Sequence, residues 1–589
     1  MTGPAPLVGI VNVAPRTDDR NGIAKGDWIR QWAGGDAAVY VDDVVAIAAT
    51  FVFGHRGVVV AASPACERDW RTLQEFSDTC RDGQELILGI IEHHALTCSL
   101  AVYLSGSLIL FRDRLGVDGL YYRSRDGQVA FSSALAPLIG EEPSGGLDIA
   151  SAMTYLLHGR ARLGRTFLNG LESLPSAHFV RCLGGPIRPE RYWSPLGNPM
   201  PIDSRASRIN RLGSHLEHAC RDGFAPEGNA LFLSGGMDSS YLARIASQTG
   251  PMSTVCYTMA YADGRHPDEY RYARIAADAF GLPLKRVELT VEGSVMHLRS
   301  ILNEPRPVSA WATICNNALI DAAVADGNVH IVSGLGADEV LANYRKALDY
   351  YFRARESMTK QDLGHSDLLA YMKRTDDLLF PGVADFFSNT DLDAVLAADH
   401  DAWSAVDDLH EFYRECGPVD RRTHLFSYFV AHECQHRLPD ALLRDFESHA
   451  HRSGAHIAFP FLDPRFVESA CSLYPSERFQ YNDNRWHSKV TMKAIVSSVL
   501  PDEIMRRERG IFDFPFRSYL DHDAFRAVVL EELTQSPIWD AGLFKPNVLA
   551  YYLDAIDRSR AGAAVDGRCW PELWVLLTLS AWYGRHFSC

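Results

Sequence analysis

One segment of this chain reads Leu233-Ser234-Gly235-Gly236-Met237-Asp238-Ser239-Ser240, and it joins a predicted strand at residues 230–233 to a predicted helix at residues 239–248. Gly235 and Gly236 allow the backbone to turn tightly and bring N–H groups close to a phosphate. The N-terminus of the following helix adds a dipole that favours anions. The segment therefore predicts a pyrophosphate-binding loop at the end of a strand in an α/β domain.

The polar side chains of this loop indicate how a phosphate is held. Ser234 and Ser239 supply hydroxyl donors, and a carboxylate such as Asp238 beside a phosphate requires a cation, which predicts a bridging Mg²⁺. The alternative is a glycine-rich turn between a strand and a helix, with a Ser or Asp as the N-cap. Because the segment lacks the GxxxxGK[ST] pattern, it is not the ordinary nucleotide P-loop.

A second segment, Ser333-Gly334-Leu335-Gly336-Ala337-Asp338-Glu339, also follows a predicted strand, at residues 329–332, and precedes a helical pattern. In open α/β sheets, ligands bind at the carboxyl ends of the strands, so both segments are expected to face one crevice. Asp338 is therefore a candidate second Mg²⁺ ligand beside Asp238. The alternative is a glycine turn with acidic residues at the start of a helix.

Composition limits the class of protein. A length of 589 residues predicts two or three domains, and a formal net charge of -16 argues against nucleic-acid binding. The twelve cysteines include no CxxC pair, which is typical of free thiols in a reducing compartment. We find no signal peptide and no apolar run of 18 residues, so we expect a cytoplasmic protein that does not bind membranes.

The pattern of the chain changes along its length. Residues 7 to about 185 are β-rich, and a Gly/Pro-rich stretch at 184–201 is the best domain boundary. Strands and helices then alternate, which implies a parallel sheet, and after residue 345 the pattern is mainly helical, with a buried helix at 573–583. The predicted hairpins pair 100–104 with 108–111 and 120–123 with 128–131. The other predicted elements are strands at 254–259 and 283–289 and a helix at 268–280.

Together, SGGxDS and a downstream SGxGADE resemble the synthetase domain of the asparagine-synthetase family, which includes β-lactam synthetases and the macrolactam cyclases of lasso peptides. Further segments are similar to the family's motifs and follow in the same order. These are RDRLG with LYY at 112–116 and 120–122, RYWSP at 191–195, FPFLD at 459–463 and PDEI at 501–504. The resemblance thus extends over nearly the whole chain.

The resemblance implies a combined α/β and α+β fold. Residues 1–195 are expected to form an Ntn-hydrolase-like, glutaminase-like sandwich domain. Residues 205–589 are expected to form a PP-loop ATP pyrophosphatase-type synthetase domain with a parallel sheet and many helices. In this family ATP and Mg²⁺ activate a carboxylate as its adenylate, pyrophosphate leaves, and an amine then displaces AMP.

The resemblance also implies a set of site residues. Asp238 and Asp338 would hold Mg²⁺ on the pyrophosphate of ATP, and Lys489 matches a family lysine near the phosphates; the alternative for Lys489 is an exposed lysine on an ordinary helix. Strand residues Tyr257 and Met259 match the segment whose backbone reads adenine. The complete expected ATP-binding set is Leu233, Ser234, Gly235, Gly236, Asp238, Ser239, Tyr257, Met259, Gly334 and Asp338.

Several positions depart from the family pattern. Val8 stands where glutamine-dependent members have their nucleophilic cysteine, and valine cannot be a nucleophile. The N-terminal domain is therefore expected to lack glutaminase activity. This is the pattern of the β-lactam synthetases and lasso cyclases, which join an amine to a carboxylate within one molecule.

The expected catalytic residues are Arg509, Lys489, Asp445 and Glu447. Arg509 replaces the lysine that follows PxEI; it retains the charge and can clamp phosphate, but it does not readily transfer a proton. Leu335 replaces the Tyr of β-lactam synthetases and the Glu of asparagine synthetases, so another group must deprotonate the amine. Asp445 and Glu447 lie near the region that supplies an acidic partner, although both could be surface carboxylates.

One motif is also found in zinc-binding proteins. His432-Glu433-Cys434-Gln435-His436 fits HExxH, which can place two imidazoles on one helix face for zinc. Pro439 is expected to bend or end that helix, and the longer HExxHxxGxxH pattern is missing. A helix with histidines against polar neighbours is the preferred interpretation.

The preferred function is a lasso-peptide macrolactam cyclase that acts on a carboxylate-bearing precursor peptide, with a leader-peptide-binding or protease partner. The alternative is a small-molecule β-lactam synthetase or an intermolecular amide ligase. Two other classes stay open, a tRNA-modifying ATP pyrophosphatase and a catalytically dead regulatory homologue.

Overall fold

The computed structural model describes most of the chain, and its internal contacts divide it into two units. Unit 1 comprises Met1–Ala152 and Ala161–Ser194, and unit 2 comprises Met153–Arg160 and Pro195–Cys589. The described residues are 8–12, 38–41, 45–48, 51–55, 58–62, 89–90, 97–104, 107–125, 128–139, 145–182, 186–196, 204–249, 254–261, 270–344, 348, 386–387, 389–397, 425–482, 485–507 and 512–587.

Unit 1 contains two six-stranded antiparallel sheets, with the strand orders β10-β8-β9-β1-β3-β2 and β12-β11-β7-β6-β5-β4. Both predicted hairpins are confirmed, because β6 pairs with β7 and β8 pairs with β9. The strands are β1 Val8–Asn12, β2 Ala38–Val41, β3 Val45–Ala48, β4 Phe51–His55, β5 Val58–Ala62, β6 Leu100–Leu104, β7 Ser107–Phe111, β8 Tyr121–Arg125, β9 Gln128–Ser132, β10 Glu172–Ser173, β11 His178–Cys182 and β12 Glu190–Arg191.

The core of unit 1 is built from both sheets. Leu108 and Leu110 of one sheet belong to the same buried cluster as Val129 and Phe131 of the other. These side chains come from alternate positions of their strands, as expected when one face of each sheet is buried. The two sheets therefore pack face to face as the predicted sandwich.

Unit 2 is built on a five-stranded parallel sheet with the order β15-β14-β13-β16-β17. Its strands are β13 Asn229–Phe232, β14 Thr254–Tyr261, β15 Leu284–Leu289, β16 His330–Val332 and β17 His456–Ala458. The first four were predicted within one or two residues. The prediction of a mainly helical chain after residue 345 missed β17 and a hairpin of β18 Gln480–Asn482 with β19 Arg485–His487. A three-residue strand carries too little alternation to be recognised in a sequence.

Helices pack against the sheet of unit 2, whereas α1 (Ala136–Ile139) and the first residues of α2 (Ile149–His158) belong to unit 1. The predicted buried terminal helix is confirmed. The described helices are α1 Ala136–Ile139, α2 Ile149–His158, α3 Arg205–Asp222, α4 Met237–Thr249, α5 Tyr270–Phe280, α6 Val291–Leu302, α7 Thr313–Ala325, α8 Ala337–Val340, α9 Asn389–Val395, α10 Leu425–His432, α11 Leu443–Arg452, α12 Pro464–Cys471, α13 Pro475–Arg478, α14 Val490–Val496, α15 Asp502–Arg506, α16 Phe516–Tyr519, α17 Asp523–Gln535, α18 Val548–Arg560 and α19 Cys569–His586.

A π-helical segment, Glu433–Leu442, connects α10 to α11 and contains Pro439. Proline has no N–H and crowds the preceding turn, so the wider i→i+5 turn keeps the chain helical through it. Of the two predicted outcomes at Pro439, a bend or an end of the helix, the end is therefore wrong, and the bend stays a prediction. Among the described residues, no helix is long and apolar enough to cross a membrane.

Candidate active site

The two glycine-rich segments meet at the carboxyl ends of neighbouring strands. The first follows β13 and the second follows β16, and these strands are hydrogen-bonded to each other in parallel. A Cβ built on Gly334 would lie 3.8 Å from the Cβ of Asp238 and 3.7 Å from the backbone N of Ser239. The backbones of the two segments thus approach closely, as the sequence predicted.

The first segment forms a tight loop before α4. Gly235 has a φ of 69°, and a Cβ at this position would lie 2.3 Å from the backbone carbon of Tyr272. Ser234 Oγ accepts a hydrogen bond from the Gly236 N–H at 3.3 Å and lies 3.2 Å from Ser239 Oγ. The loop is therefore ordered by its own hydroxyl groups and by its contact with α5.

The second segment packs against the FPFLD motif at residues 459–463. Gly336 has a φ of 94°, and an added Cβ would lie 2.4 Å from Leu462 Cδ2. Leu462 ends the 3₁₀ turn Pro460–Leu462 that follows β17. Asn343 completes the loop, because its Nδ2 donates to Asp338 Oδ1 at 2.7 Å and thereby orients that carboxylate.

Lys489 joins the two acidic residues. Its Nζ donates to Asp238 Oδ2 and lies 2.6 Å from Asp338 Oδ1. The side chain of Lys489 is only 6% exposed, so the alternative of an exposed lysine is wrong. The residue has a left-handed φ of 55° at the start of α14, a conformation that costs a non-glycine residue free energy. Burial and the left-handed backbone make Lys489 a candidate functional residue.

Charge interactions determine the protonation of this cluster. Burial by itself lowers the pKa of Lys489, but the carboxylates of Asp238 and Asp338 outweigh it and raise the pKa above its ordinary value. Lys489 is therefore a cation at neutral pH. Asp238 Oδ1 is buried and has no hydrogen-bond partner within the described chain. A buried carboxylate oxygen without a partner, with a second carboxylate nearby, suits a hard divalent cation such as Mg²⁺.

These groups line a cavity of about 500 Å³ in unit 2. Of the predicted residues, all except Gly235, Glu447 and Arg509 line it. Gly235 lies in the loop but faces α5. Arg509 lies outside the described residues, so its predicted role stays a prediction.

The β14 wall of the cavity includes Tyr257 and Met259. Tyr257 turns its side chain away from the loop, since its OH donates to Asp326 Oδ2 at 2.7 Å and accepts from Asn328 Nδ2 at 2.8 Å. Its carbonyl accepts from the Leu233 N–H at 2.8 Å. The predicted reading of adenine by this strand's backbone stays a prediction.

The two acidic candidates of α11 differ in position. Asp445 lines the cavity, pairs with Arg306 and accepts from the Ala310 N–H at 3.3 Å. Burial raises the pKa of Asp445 to about 6, although Arg306 and its hydrogen bonds lower it. Glu447 pairs with Arg444 at 2.6 Å and is not among the described cavity residues. Both carboxylates are buried, so the surface alternative is wrong for both.

Sequence reasoning missed several cavity residues. Arg507, two positions before Arg509, donates from Nη1 to the Ser234 carbonyl oxygen at 2.8 Å and lies over the ring of Tyr272. Arg509 was predicted from its position after the PDEI motif, whereas Arg507, the residue directly after α15, belongs to no motif. The other missed residues include Thr313, Asn316, Tyr344, Leu442, Phe446 and Phe512. They belong to no recognisable motif, and Tyr344 and Phe512 lie outside the helices.

Tyr344 belongs to a buried polar network behind the second loop. Its OH donates to Glu339 Oε1 at 2.6 Å, and Arg437 Nη2 donates to the same oxygen at 3.2 Å. Arg437 also pairs with Glu433 at 2.6 Å. The glutamate of the HExxH sequence is thus engaged by an arginine, and the rings of its two histidines stack with centroids 4.9 Å apart. This arrangement favours the predicted helix packed against polar neighbours over a zinc site.

Comparison with known proteins agrees with this geometry. Residues 225–584 match the asparagine synthase family, and residues 99–193 match the glutamine amidotransferase domain. A "Putative asparagine synthetase" of Mycobacterium bovis, described as glutamine-hydrolyzing, is 23% identical over 515 residues, covering 81% of this chain and 74% of the relative. Amidase chry2 of Gibberella zeae is 21% identical over 560 residues, covering 83% and 81%.

A solved structure, the NMN synthetase of Francisella tularensis, is 18% identical and covers 24% of this chain and 60% of its own, with a TM-score of 0.17. The two domain matches confirm the expected glutaminase-like N-terminal fold and the synthetase fold that follows it. They also identify an ATP-dependent carbon–nitrogen ligase. Since the first match spans more than half of the chain, the protein belongs to the asparagine synthase family.

Proposed function

We propose that this ligase closes a lactam within one substrate, as a lasso-peptide macrolactam cyclase does. A carboxylate oxygen of the substrate attacks the α-phosphorus of ATP, the bond to the β-phosphate breaks, and pyrophosphate leaves. An amine of the same molecule attacks the carbonyl carbon of the adenylate, AMP leaves, and the nitrogen loses a proton. The observation that carries this proposal is the convergence of Lys489, Asp238 and Asp338 over the glycine-rich loop.

The pyrophosphate end of the reaction depends on positive charge. The loop at residues 234–239 offers backbone N–H groups and hydroxyls, and Lys489 supplies a buried cation beside them. Arg507 is held against the Ser234 carbonyl and brings a second cation to the loop. Mg²⁺ held by Asp238 and Asp338 would neutralise charge on the pyrophosphate. These residues bind and orient the leaving group.

The amine end of the reaction requires a proton acceptor. Leu335 cannot take a proton, whereas Asp445 reaches the same cavity as a buried carboxylate. Its pKa of about 6 makes it mostly ionised at neutral pH, and it is still more basic than an ordinary aspartate. We therefore assign Asp445 the role of accepting the proton of the attacking amine. Arg306 and the Ala310 N–H hold the carboxylate in place.

An intramolecular amine is preferred because Val8 occupies the place of the glutaminase cysteine. Without ammonia from glutamine, the substrate itself must bring the nitrogen. A precursor peptide as the substrate, a leader-peptide-binding or protease partner, and a cytoplasmic location belong to this proposal. A small-molecule β-lactam synthetase or an intermolecular amide ligase is the second candidate, because a cavity of about 500 Å³ also accommodates a small substrate.

The experiment that tests the proposal is substrate-stimulated exchange between ATP and labelled pyrophosphate in the full chain. Candidate carboxylates include any small peptide encoded beside the gene. We expect exchange with one candidate, loss of exchange in Asp238→Ala, and a product lighter than the substrate by one water. Asp554→Asn changes an exposed aspartate of α18 and serves as the matched control.

The outcomes separate the alternatives. A product in which two molecules are joined would favour the intermolecular ligase. Exchange with a small molecule and with no peptide would favour the small-molecule lactam synthetase. No exchange with any candidate, together with no detectable ATP binding, would overturn the proposal in favour of a catalytically dead homologue.

A further inference from the structure

Three helices of unit 2 bring two imidazoles and one carboxylate together outside the ATP-site cavity. His297 lies on α6, Asp321 on α7 and His449 on α11. Their donor atoms all lie within 4.8 Å of one another. None of the three residues lines the cavity described above. Among the described residues, they form the one group of three or more His, Cys, Asp or Glu side chains with this geometry.

The hydrogen bonds of this cluster leave donor atoms unused. His449 Nε2 lies 2.7 Å from Asp321 Oδ1, but its buried Nδ1 has no hydrogen-bond partner in the described part of the chain. His297 Nδ1 lies 3.8 Å from Asp321 Oδ2, which is too far for a hydrogen bond. His297 makes no other polar contact with a described residue, although its side chain is only 5% exposed. A hydrogen-bonded Asp–His pair therefore accounts for His449 but leaves His297 without a role.

A metal ion accounts for all three side chains. Donors around a tetrahedral Zn²⁺ lie roughly 3.3 Å apart, given Zn–N and Zn–O distances near 2.0–2.1 Å. In the cluster, His449 Nε2 lies 2.7 Å from Asp321 Oδ1 and His297 Nδ1 lies 3.8 Å from Asp321 Oδ2, and all three donors lie within 4.8 Å of one another, so binding one ion requires the side chains to adjust.

We propose that His297, Asp321 and His449 bind one Zn²⁺ ion at a site separate from the ATP-binding cavity. Two nitrogen ligands favour zinc over magnesium, which prefers oxygen. The side chain of Asp321 is 41% exposed, so solvent reaches the site and supplies the fourth ligand. Ser453 Oγ donates to Asp321 Oδ1 at 3.4 Å and helps to orient the carboxylate.

The position of this site suggests what it does. His449 lies one helical turn after Asp445 on α11, and Asp321 follows Asn316 and Leu319 on α7. Asp445, Asn316 and Leu319 all line the cavity. Zinc would link α7, α11 and α6 at one point and thereby stabilise the cavity wall. Its role is structural, and it does not depend on which substrate the enzyme takes.

The test is zinc binding by the full chain after removal of metal with a chelator. Isothermal titration with ZnCl₂ and elemental analysis after dialysis should give one tightly bound zinc per chain, and zinc should raise Tm. Asp321→Asn, His297→Ala and His449→Ala should each weaken this binding by at least about tenfold, because loss of even an indirect metal contact costs 10–100-fold. His218→Ala is the matched control, since His218 lies on α3 and bonds only its own helix at Ser214 O.

Asp321→Asn separates loss of zinc binding from loss of folding. It changes one oxygen of a partly exposed side chain and keeps the shape of that side chain, so the variant should fold. Co²⁺ provides a second readout, since a site of this kind gives intense visible absorption when four-coordinate. Failure of the wild-type chain to retain zinc would overturn the proposal. Retention that is equal in all three variants would overturn it too and would direct attention to His432 and His436. Neither readout depends on ATP or on amide formation.

Discussion

Lys489 lies between two carboxylates, and its removal should have two separable effects. In Lys489→Met, Asp238 and Asp338 lose their shared cation, so the free energy of unfolding without Mg²⁺ should fall, by at most about 3–5 kcal/mol for a buried pair and by less here because Asp338 is one-third exposed. ATP–pyrophosphate exchange should be lost. Denaturant unfolding with and without MgCl₂ measures the first effect, and Mg²⁺ should stabilise the variant more than it stabilises the wild type.

Lys545→Met is the control for this prediction, because Lys545 is partly exposed and its Nζ donates only to the Asp393 carbonyl oxygen. It should leave both exchange and the response to Mg²⁺ unchanged. An equal response to Mg²⁺ in Lys489→Met and in the wild type would contradict the assignment of Asp238 and Asp338 as the metal ligands.

Replacing Asp445 should slow amide formation, which is the second half-reaction, and leave adenylation, the first, unchanged. In Asp445→Asn the buried site keeps its shape but loses the proton acceptor, so pyrophosphate exchange should persist while amide formation falls by about 10²–10⁴-fold. The pKa of Asp445 is raised to about 6, so the wild-type rate of amide formation should increase as pH rises through 6 and then level off. The variant should lack this increase. A pH profile that is the same in both proteins would rule out Asp445 as the base.

At the scale of an element, the loop before α4 depends on its contact with α5. Gly235→Ala places a Cβ against the backbone of Tyr272 and Ala273, at 2.3 and 2.4 Å, and neither atom can move without moving α5. We expect loss of ATP binding, measured by calorimetry, and a lower Tm. Gly228→Ala is a matched control, because Gly228 has the same φ of 69° and nothing within 4 Å of an added Cβ. It should cost about 1–2 kcal/mol of stability and leave ATP affinity intact.

At the scale of the whole molecule, unit 1 keeps two six-stranded sheets without a nucleophile at residue 8. Val8 begins β1 and pairs with Ser132 on one side and Ala48 on the other. We expect no release of ammonia from glutamine above the uncatalysed rate, and no dependence of product formation on glutamine. A coupled ammonia assay with a glutamine-hydrolysing asparagine synthetase as positive control measures this. Glutamine hydrolysis by this chain would contradict the intramolecular proposal.

Much of the fold could be predicted from the sequence because its signals are local. The hairpins of β6 with β7 and β8 with β9, and the strands β13 to β16, follow alternating or continuous apolar runs that end in turn residues. Strand β17 was missed because its three residues take their strand conformation from pairing with β16. The π-helical turn through Pro439 was missed for a related reason, since burial of the segment outweighs the local preference of proline to end a helix.

The sequence by itself determined that the two glycine-rich segments follow strands, and it determined the family to which the chain belongs. The tertiary structure alone showed that Lys489, some 250 residues after Asp238, lies between the two aspartates, and that Asp445 faces the cavity while Glu447 faces Arg444. It alone brought His297, Asp321 and His449 together. The physical reason is that a loop motif is specified by the backbone conformations of neighbouring residues, whereas the direction of a helical side chain depends on how distant helices pack.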